Sequence, residues 1–247
     1  MAAPTTLLVT ESADRVVATL NRPERRNAID QRMVDELHAL CEDLERDPRI
    51  LILTGSEGVF ASGADIAELR ERSAADARRA INATIFLRIA ELPMPVIAAL
   101  DGFALGGGAE LAYAADFRLG TPRLRIGNPE TSLGIIAAAG ALWRLPQLVG
   151  EPLAAEITMA GRVLTGEEAL AAGLVSDLFE PDELLAGAHA LADRIAANDP
   201  LATQYTKRVL RAPLGDHPRA EREAQAVLFE SPEKQRRMTE FLERRRK

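Results

Sequence analysis

The amino-acid sequence predicts an α/β core followed by a helical C-terminal extension. Over roughly the first 180 residues, strand-like and helix-like segments alternate. Two of these segments, Ile50–Gly55 and Val96–Leu100, are short and continuously apolar, which is typical of strands buried on both faces. From Pro181 onward the pattern is helical only. We therefore expect two regions, an α/β core with the functional site in residues 1–180 and a helical region in residues 181–247.

The N-terminal elements are predicted to be two strands and one amphipathic helix. The strands are "TLLVTES" and "RVVATLN", joined by the turn "ADR". The helix is "IDQRMVDELHALCEDLERD", in which Asp30 is the expected N-cap and Cys41 lies on the apolar face. Because Cys41 is the one cysteine, neither an internal disulfide nor a thiolate metal cage can form. The three histidines are scattered and match no metal-binding motif, so we expect no metal.

The middle of the chain is predicted to alternate helices and strands around two glycine-rich segments. The first of these, "SEGVFASGADIAEL", follows the strand at Ile50–Gly55. One long helix is expected from about Ser73 to Glu91, because prolines end it just before the next strand. The second glycine-rich segment starts a helix, which a strand near "DFRLG" follows. A hairpin is then expected to lead to Leu124–Glu130.

The later helices carry clear capping signals. In "LTGEEALAAGLV", Thr165 and Glu168 have the spacing of a capping box, and Gly173 is a natural helix stop. Breaks in the helical C-terminal region are expected near Asn198–Pro200 and Pro213–Pro218.

Composition and charge exclude several classes of partner. The net charge is −7, aromatic residues make up 4% of the chain, and the one basic cluster is at Glu243–Lys247, so no nucleic-acid surface is expected. No apolar run approaches the ~20 residues that span a bilayer. The start "MAAPTTLLVT" lacks the charged leader of a signal peptide. We expect a soluble, cytoplasmic protein without a membrane span.

The segment "GFALGGGAEL", Gly102–Leu111, combines three consecutive glycines with an acid in apolar surroundings. Leu111 breaks the dinucleotide fingerprint, and Gly108 and Ala109 replace the Lys and hydroxyl of a P-loop. A helix start without side chains offers bare N–H groups that suit the negative charge developing on a carbonyl oxygen. A matching N–H group is expected from "FASGADI", Phe60–Ile66, because loops that follow parallel strands meet at one edge of the sheet.

Two acids, Glu110 and Glu130, are the candidate proton-transfer groups. They are separated by enough chain for a helix, a returning strand and a turn, which could bring both carboxylates over the predicted oxyanion hole. Two neighbouring carboxylates can hold one water, one removing its proton while the other supplies a proton elsewhere. Burial and mutual repulsion raise carboxylate pKa values. Chemistry of this kind needs neither a metal nor a cysteine.

Together these segments resemble the enoyl-CoA hydratase/isomerase family, the crotonase superfamily. The resemblance rests on "NRPERRNAID", "FASGADI", "PVIAALDGFALGGGAELAYAADFRLG", "IGNPETSLG" and "TGEEALAAGLV", in the family's order and spacing, and covers nearly the whole chain. It implies a crotonase-like spiral of repeated β-β-α units with a helical C-terminal trimerisation region. It also implies a homotrimer or dimer of trimers, an acyl-CoA substrate, and a setting in fatty acid metabolism. CoA is then part of the substrate and no separate cofactor is expected.

The resemblance also assigns roles to individual residues. It implies that the N–H groups of Ala64 and Gly107 form the oxyanion hole for the thioester carbonyl. It implies that Glu110 activates water for attack at C3 and that Glu130 delivers a proton to C2, which gives a 3-hydroxyacyl-CoA. The implied substrate and CoA contacts are Arg22, Arg25, Arg26, Ala64, Asp65, Ile66, Ala67, Gly107 and, from a neighbouring subunit, Arg244.

The sequence departs from the family pattern beside the second acid. Ala137, Ala138 and Ala141 stand where Pro or Gly is common, and Asn128 stands where Gln is frequent. Alanine lacks the conformational freedom of glycine at positive φ. Two alternatives to hydration therefore stay open: double-bond isomerisation by Glu130 alone, and an acyl-CoA-binding homologue without catalysis.

Overall fold

The computed structural model describes residues 5–245, in which it has nine strands and twelve α-helices. The strands are β1 (Leu7–Glu11), β2 (Arg15–Leu20), β3 (Ile50–Gly55), β4 (Val96–Leu100), β5 (Phe103–Leu105), β6 (Phe117–Gly120), β7 (Arg125–Gly127), β8 (Val163–Thr165) and β9 (Asp177–Leu178). The α-helices are α1 (Gln31–Arg46), α2 (Ile66–Glu71), α3 (Ala74–Arg79), α4 (Ile81–Glu91), α5 (Gly107–Ala114), α6 (Ala141–Val149), α7 (Glu151–Met159), α8 (Gly166–Ala171), α9 (Leu184–Ala196), α10 (Pro200–Leu210), α11 (Arg219–Phe229) and α12 (Pro232–Arg244).

The larger sheet has six strands in the order β1-β2-β3-β4-β6-β9. β1 and β2 are antiparallel, and the other neighbouring strands are parallel. All of β4 and the first four residues of β3 are buried, as expected for continuously apolar strands in a parallel sheet. Helices α1 and α4 pack against each other beside this sheet and bury apolar side chains in the core.

The smaller sheet has three strands in the order β5-β7-β8. β5 and β7 are parallel, and β7 and β8 are antiparallel. Beyond the end of β5, the Gly106 N–H donates to Gly127 O at 2.9 Å. This bond fixes the start of α5 beside the end of β7, the two places from which Glu110 and Glu130 come.

The hairpin expected before Glu130 is wrong. β6 lies between β4 and β9 in the larger sheet, whereas β7 belongs to the smaller sheet. The chain turns between them, where the Leu124 N–H donates to Thr121 O at 3.0 Å. Arg125 then begins β7 with a bond from its N–H to Gly102 O at 2.8 Å. β7 therefore pairs with β5 and does not fold back on β6. Sequence patterns do not reveal which strand a segment pairs with.

The long helix expected from Ser73 to Glu91 is interrupted at Ala80, which has a φ of 51°. Ser73 caps α3, and α4 begins after the interruption. α3 has no buried residue, whereas α4 buries four apolar side chains. Because packing holds a helix together more than propensity does, the unpacked half is free to change direction.

The local capping predictions are confirmed. The Asp30 side chain accepts from the Met33 N–H at the start of α1, and Thr165 and Glu168 form a reciprocal capping box on α8. The predicted α/β class with C-terminal helices is confirmed as well. No helix among residues 5–245 is long and apolar enough to cross a membrane.

The described chain divides into two compact units, one ending at Ala192 and the other beginning at Asp193. The first unit contains both sheets and helices α1–α8. The second contains α10, α11 and α12, of which α10 packs against α11. The predicted role of residues 181–247 in oligomerisation stays a prediction.

Candidate active site

The three glycines before α5 have three different structural settings. Gly106 has a φ of 51° and a ψ of −123°, a conformation that glycine adopts more readily than other residues. A Cβ on Gly108 would lie 2.3 Å from Ala61 O, so this glycine permits close backbone packing. The Gly107 N–H, at the first position of the helix, donates to no acceptor among the described residues. Two glycines are therefore explained by the backbone, and the third leaves a donor free.

The loop at Ala64 reaches the same place. Ala61 holds it to β5, since its N–H donates to Phe103 O at 2.9 Å and its carbonyl accepts from the Leu105 N–H at 3.0 Å. The Ala64 N–H has no acceptor within residues 5–245. A Cβ built on Gly107 would lie 3.3 Å from Ala64 N, so the two backbone segments adjoin. The arrangement matches the predicted oxyanion hole in position, and its role stays a prediction.

Glu110 is a buried carboxylate held by the start of α6. The residue is 4% exposed, and Oε1 accepts from the N–H groups of Ala139 at 2.6 Å and Ala141 at 3.2 Å. Burial raises the pKa of Glu110 to about 7, the two N–H donors oppose the rise, and the charge of Glu130 adds to it. Glu110 therefore changes charge near neutral pH, as a proton-transfer group does.

Glu130 follows β7 in a short 3₁₀ turn and is also buried, with 9% of its surface exposed. Its Oε1 accepts from Asn128 Nδ2 at 3.3 Å, whereas Oε2 is buried and has no hydrogen-bond partner among the described residues. Burial raises the pKa of Glu130, and donation from its own backbone N–H and from Asn128 opposes the rise. A buried carboxylate oxygen without a protein partner is costly when ionised, which favours the protonated form of Glu130.

The Glu130 carboxylate adjoins the start of α5, where the Gly107 N–H has no acceptor among the described residues. A Cβ on Gly106 would lie 3.2 Å from Glu130 Oε1, so the second acid lies against the residue that precedes Gly107. The charge of Glu130 raises the pKa of Glu110, so the two acids are close enough to interact. One small region of the first unit thus combines two coupled acids with two unused backbone donors, which suits proton transfer next to a polarised carbonyl.

The unusual Ala137–Ala141 turn supplies the donors that hold Glu110, and sequence reasoning missed this. Gly140 has a φ of 132°, which turns the Ala139 and Ala141 N–H groups toward one oxygen. Because these donors are backbone N–H groups, they do not depend on the alanine side chains at Ala137, Ala138 and Ala141. The signal in the sequence was Gly140 itself, the glycine that ends a run of alanines and precedes a helix.

Arg22 supports the Ala64 loop. Its guanidinium lies 3.2 Å from both Asp30 and Asp65 and donates to Ala28 O at 2.6 Å. Asp65 also caps α2, and donors from Ala67 and Arg22 lower its pKa although burial opposes them. Arg22 is thus neutralised within the protein, and its predicted contact with CoA stays a prediction.

The other predicted CoA contacts lie on exposed surface. Arg25 and Arg26 are exposed beside Arg22, as are Ile66 and Ala67 at the start of α2. Arg244 lies in the second unit, with its guanidinium 3.9 Å from Glu240. Within residues 5–245, no cluster of three or more His, Cys, Asp or Glu side chains has a metal-binding arrangement.

The fold agrees with the comparisons to known proteins. The sequence profile of the Enoyl-CoA hydratase/isomerase family matches residues 11–247, and the chain belongs to this family. It is 35% identical to a short-chain-enoyl-CoA hydratase of Clostridium acetobutylicum, over 93% of this chain and 92% of the relative. It is 36% identical to a crotonyl-CoA hydratase of Syntrophomonas wolfei, over the same shares of 93% and 92%.

The solved structures give the same result. The crystal structure of an enoyl-CoA hydratase from Bacillus anthracis matches with a TM-score of 0.91 at 30% identity, covering 97% of this chain and 96% of that one. The crotonase-like fold and the family membership predicted from the sequence are therefore confirmed.

Proposed function

We propose that the protein hydrates a 2-enoyl-CoA to a 3-hydroxyacyl-CoA. The observation that carries the proposal is the pair of coupled, buried carboxylates of Glu110 and Glu130 beside the unused N–H groups of Ala64 and Gly107. The names of the relatives, hydratases of short-chain enoyl-CoA and crotonyl-CoA, support the same reaction.

The proposed mechanism adds water across the C2–C3 double bond. The Ala64 and Gly107 N–H groups bind the thioester oxygen and stabilise the negative charge that develops when C3 is attacked. Glu110 removes a proton from the attacking water, whose oxygen forms a bond to C3. Glu130 gives its proton to C2, where the electron pair of the former double bond forms the new C–H bond. After addition Glu110 holds a proton and Glu130 is ionised, so transfer of this proton from Glu110 to Glu130 restores the starting protonation states. No separate cofactor takes part, because CoA belongs to the substrate.

The hydrogen bonds support this division of roles. Two backbone donors at the start of α6 stabilise the ionised form of Glu110, which a base requires. Glu130 keeps one oxygen without a partner, and a neutral carboxyl group can carry its proton there. Repulsion between neighbouring carboxylates favours a pair in which only one is ionised, as the proposed mechanism requires.

The test follows the loss of conjugated thioester absorbance with a short 2-enoyl-CoA. Glu110→Gln and Glu130→Gln should each lower kcat by at least about 100-fold, because each removes a proton-transfer group. Glu223→Gln, which changes an exposed acid on α11, is the matched control and should retain wild-type turnover. The proposal is wrong if the wild type is no faster than the Glu110→Gln/Glu130→Gln double variant. In heavy-oxygen water, the label should appear at C3 of the product.

The pH dependence provides a second check. Activity should rise as the pH increases through about 7, where Glu110 ionises, and fall at higher pH because the proposed mechanism needs a protonated Glu130, whose pKa burial raises. Initial rates across the pH range, measured at saturating substrate, should therefore give a bell-shaped profile. A flat profile between about pH 5 and 9 would contradict the assignment.

Double-bond isomerisation by Glu130 alone is the second candidate, and the unpartnered Oε2 favours it. An isomerase would convert a 3-enoyl-CoA and would keep that turnover in Glu110→Gln. Loss of the turnover in this variant would rule isomerisation out. Tight binding of acyl-CoA without turnover of any enoyl or 3-hydroxyacyl ester would favour the non-catalytic alternative.

We also propose a homotrimer, or a dimer of trimers, assembled through the second unit. Several large apolar side chains of this unit are more than half exposed, which is unusual for a surface in contact with water. They are Leu210, Leu214, Phe229, Met238, Phe241 and Leu242. Sedimentation velocity should give a mass of three or six chains, and a monomer would contradict the proposal.

A further inference from the structure

Tyr113 lies one turn after Glu110 on α5 and is completely buried. Its hydroxyl lies 3.0 Å from Asn128 Oδ1. Because a carbonyl oxygen can only accept, Tyr113 must be the donor of this bond. The mechanism above makes no use of Tyr113, although the residue touches the amide that contacts Glu130.

The bond from Tyr113 and the bond to Gly106 O together favour one orientation of the Asn128 amide. An amide side chain can be rotated by half a turn, which exchanges its oxygen and nitrogen. With Oδ1 facing the Tyr113 hydroxyl, Nδ2 faces two acceptors, Glu130 Oε1 and Gly106 O, each at 3.3 Å. A rotated amide would present Nδ2 to the Tyr113 hydroxyl, which could accept from it but would then leave its own buried proton without this acceptor, and Gly106 O would lose its donor. Tyr113 and Gly106 O together therefore favour the orientation in which Glu130 meets a donor.

The orientation of Asn128 decides which oxygen of Glu130 carries the proton. Oε1 accepts from Asn128 Nδ2, so a proton on Oε1 would compete with this donor. Oε2 is buried without a partner among the described residues. We propose that Tyr113 is a positioning residue that, through Asn128, keeps the transferable proton of Glu130 on Oε2. The inference rests on the proposed function, in which Glu130 delivers a proton to the substrate.

Removal of the Tyr113 hydroxyl should shift the proton of Glu130 from Oε2 toward Oε1. In Tyr113→Phe one of the two restraints on the amide is gone, and Oδ1 of a rotated amide can accept a hydrogen bond from a protonated Oε1. That bond stabilises neutral Glu130 and withholds its proton from the substrate. The rotated amide loses its bond to Gly106 O, so the rotation is partial and the effect moderate. The charged groups nearby, Glu110 on α5 and Arg118 on β6, are unchanged in this variant.

The experiment compares kcat and KM across the pH range for the wild type, Tyr113→Phe and Tyr205→Phe. Tyr205→Phe is the matched control, since it changes the other tyrosine, which lies on α10 against Arg208. For Tyr113→Phe we expect kcat to fall about fivefold to tenfold with KM within about twofold of wild type. The basic limb of the kcat profile should move up by about half a pH unit. A lower unfolding temperature with an unchanged pH profile would show a structural role only and overturn the inference.

A double-mutant cycle tests whether Tyr113 acts through Asn128. In an Asn128→Ala background, adding Tyr113→Phe should change kcat by less than about twofold, because the amide that transmits the effect is gone. If the two effects on kcat multiply in full, Tyr113 does not act through Asn128.

One readout does not depend on turnover. In a Glu110→Gln background, the carboxyl band of Glu130 can be titrated by infrared difference spectroscopy in the free protein. Tyr113→Phe should raise the pH at which this carboxyl ionises, and an unchanged titration would overturn the inference. Because the titration needs no substrate, it separates failure of this inference from failure of the proposed hydration.

Discussion

Gly106, Gly107 and Gly108 show how adjacent identical residues meet different demands. Gly106 is required by its backbone conformation and Gly108 by the closeness of Ala61. Gly107 has neither a positive φ nor a clash below 3 Å with a Cβ, so its backbone alone does not require glycine. What distinguishes Gly107 is an N–H without an acceptor among the described residues, at a position that adjoins the Ala64 loop.

We therefore predict that Gly107→Ala affects activity more than stability. The added methyl carbon would lie 3.3 Å from Ala64 N and 3.8 Å from both Ala64 Cβ and Asn82 Nδ2, which narrows the space for the thioester oxygen. Turnover should fall by about tenfold to a hundredfold while the unfolding midpoint stays near that of wild type. Gly215→Ala, where a Cβ would meet nothing within 4 Å, is the control. Equal turnover of the two variants would argue against a substrate oxygen beside Gly107.

Single residues also show where sequence reasoning is sufficient. The Asp30 cap and the Thr165–Glu168 capping box depend on neighbours within three positions, so the sequence predicted both. Arg22 was assigned to CoA by resemblance, yet it contacts Asp65, which is distant in sequence. Partners of this kind are set by tertiary structure and carry no local pattern.

At the scale of elements, the start of α6 acts as part of the site. Ala139 and Ala141 donate to Glu110 from either side of Gly140, which adopts a φ of 132°. The sequence predicted the two acids but gave no means of deriving their hydrogen bonds, since the direction of an N–H depends on backbone angles. The mistaken hairpin before β7 has a related cause, because a strand can pair with any edge within reach.

Gly140→Ala should shift the pH dependence of the reaction. A side chain at this φ is strained, and relaxation of the turn would withdraw the N–H donors from Glu110. Loss of donors to a carboxylate raises its pKa, so less of Glu110 is ionised at a given pH. The acidic limb of the rate profile should move upward by about one unit.

Gly173→Ala provides the matched control for Gly140→Ala. Both glycines have a positive φ, and a Cβ at either position would meet nothing within 4 Å. Gly173 lies in the turn after α8, away from the two acids in sequence and in hydrogen bonding. If both variants lose stability but neither changes its pH profile of activity, the turn at Gly140 does not set the pKa of Glu110.

At the scale of the whole molecule, the buried acids lower stability as the pH rises. The pKa of Glu110 is about 7 in the folded protein, above its ordinary value of 4.5. Between these values the folded state binds a proton that the unfolded state has lost, so stability decreases through this window as the pH rises. The decrease is complete above about pH 7 and amounts to about 3 kcal/mol at most.

Glu110→Gln should therefore be more stable than wild type in alkaline solution. The amide is never ionised, so the variant avoids the cost of a buried charge and should gain about 1–3 kcal/mol near pH 8.5. The advantage should shrink toward about pH 5, where the wild-type carboxyl is protonated. Urea unfolding at both pH values measures it, with Glu223→Gln on the exposed face of α11 as the control. If Glu110→Gln differed from wild type by the same free energy of unfolding at both pH values, the difference would arise from packing and not from the ionisation of Glu110.

The parallel pairing of β5 with β7 has a consequence for how the chain tolerates insertions and deletions. Phe103, Ala104 and Leu105 are matched with Arg125, Ile126 and Gly127, and the two acids follow these strands at fixed distances. Loss of one residue from β7 would move Glu130 by one strand position and reverse the faces of the residues before it. Length changes should therefore be tolerated in the turn at residues 121–124 more readily than in either strand. Insertions and deletions, engineered or natural, are therefore expected in this turn and not within β5 or β7.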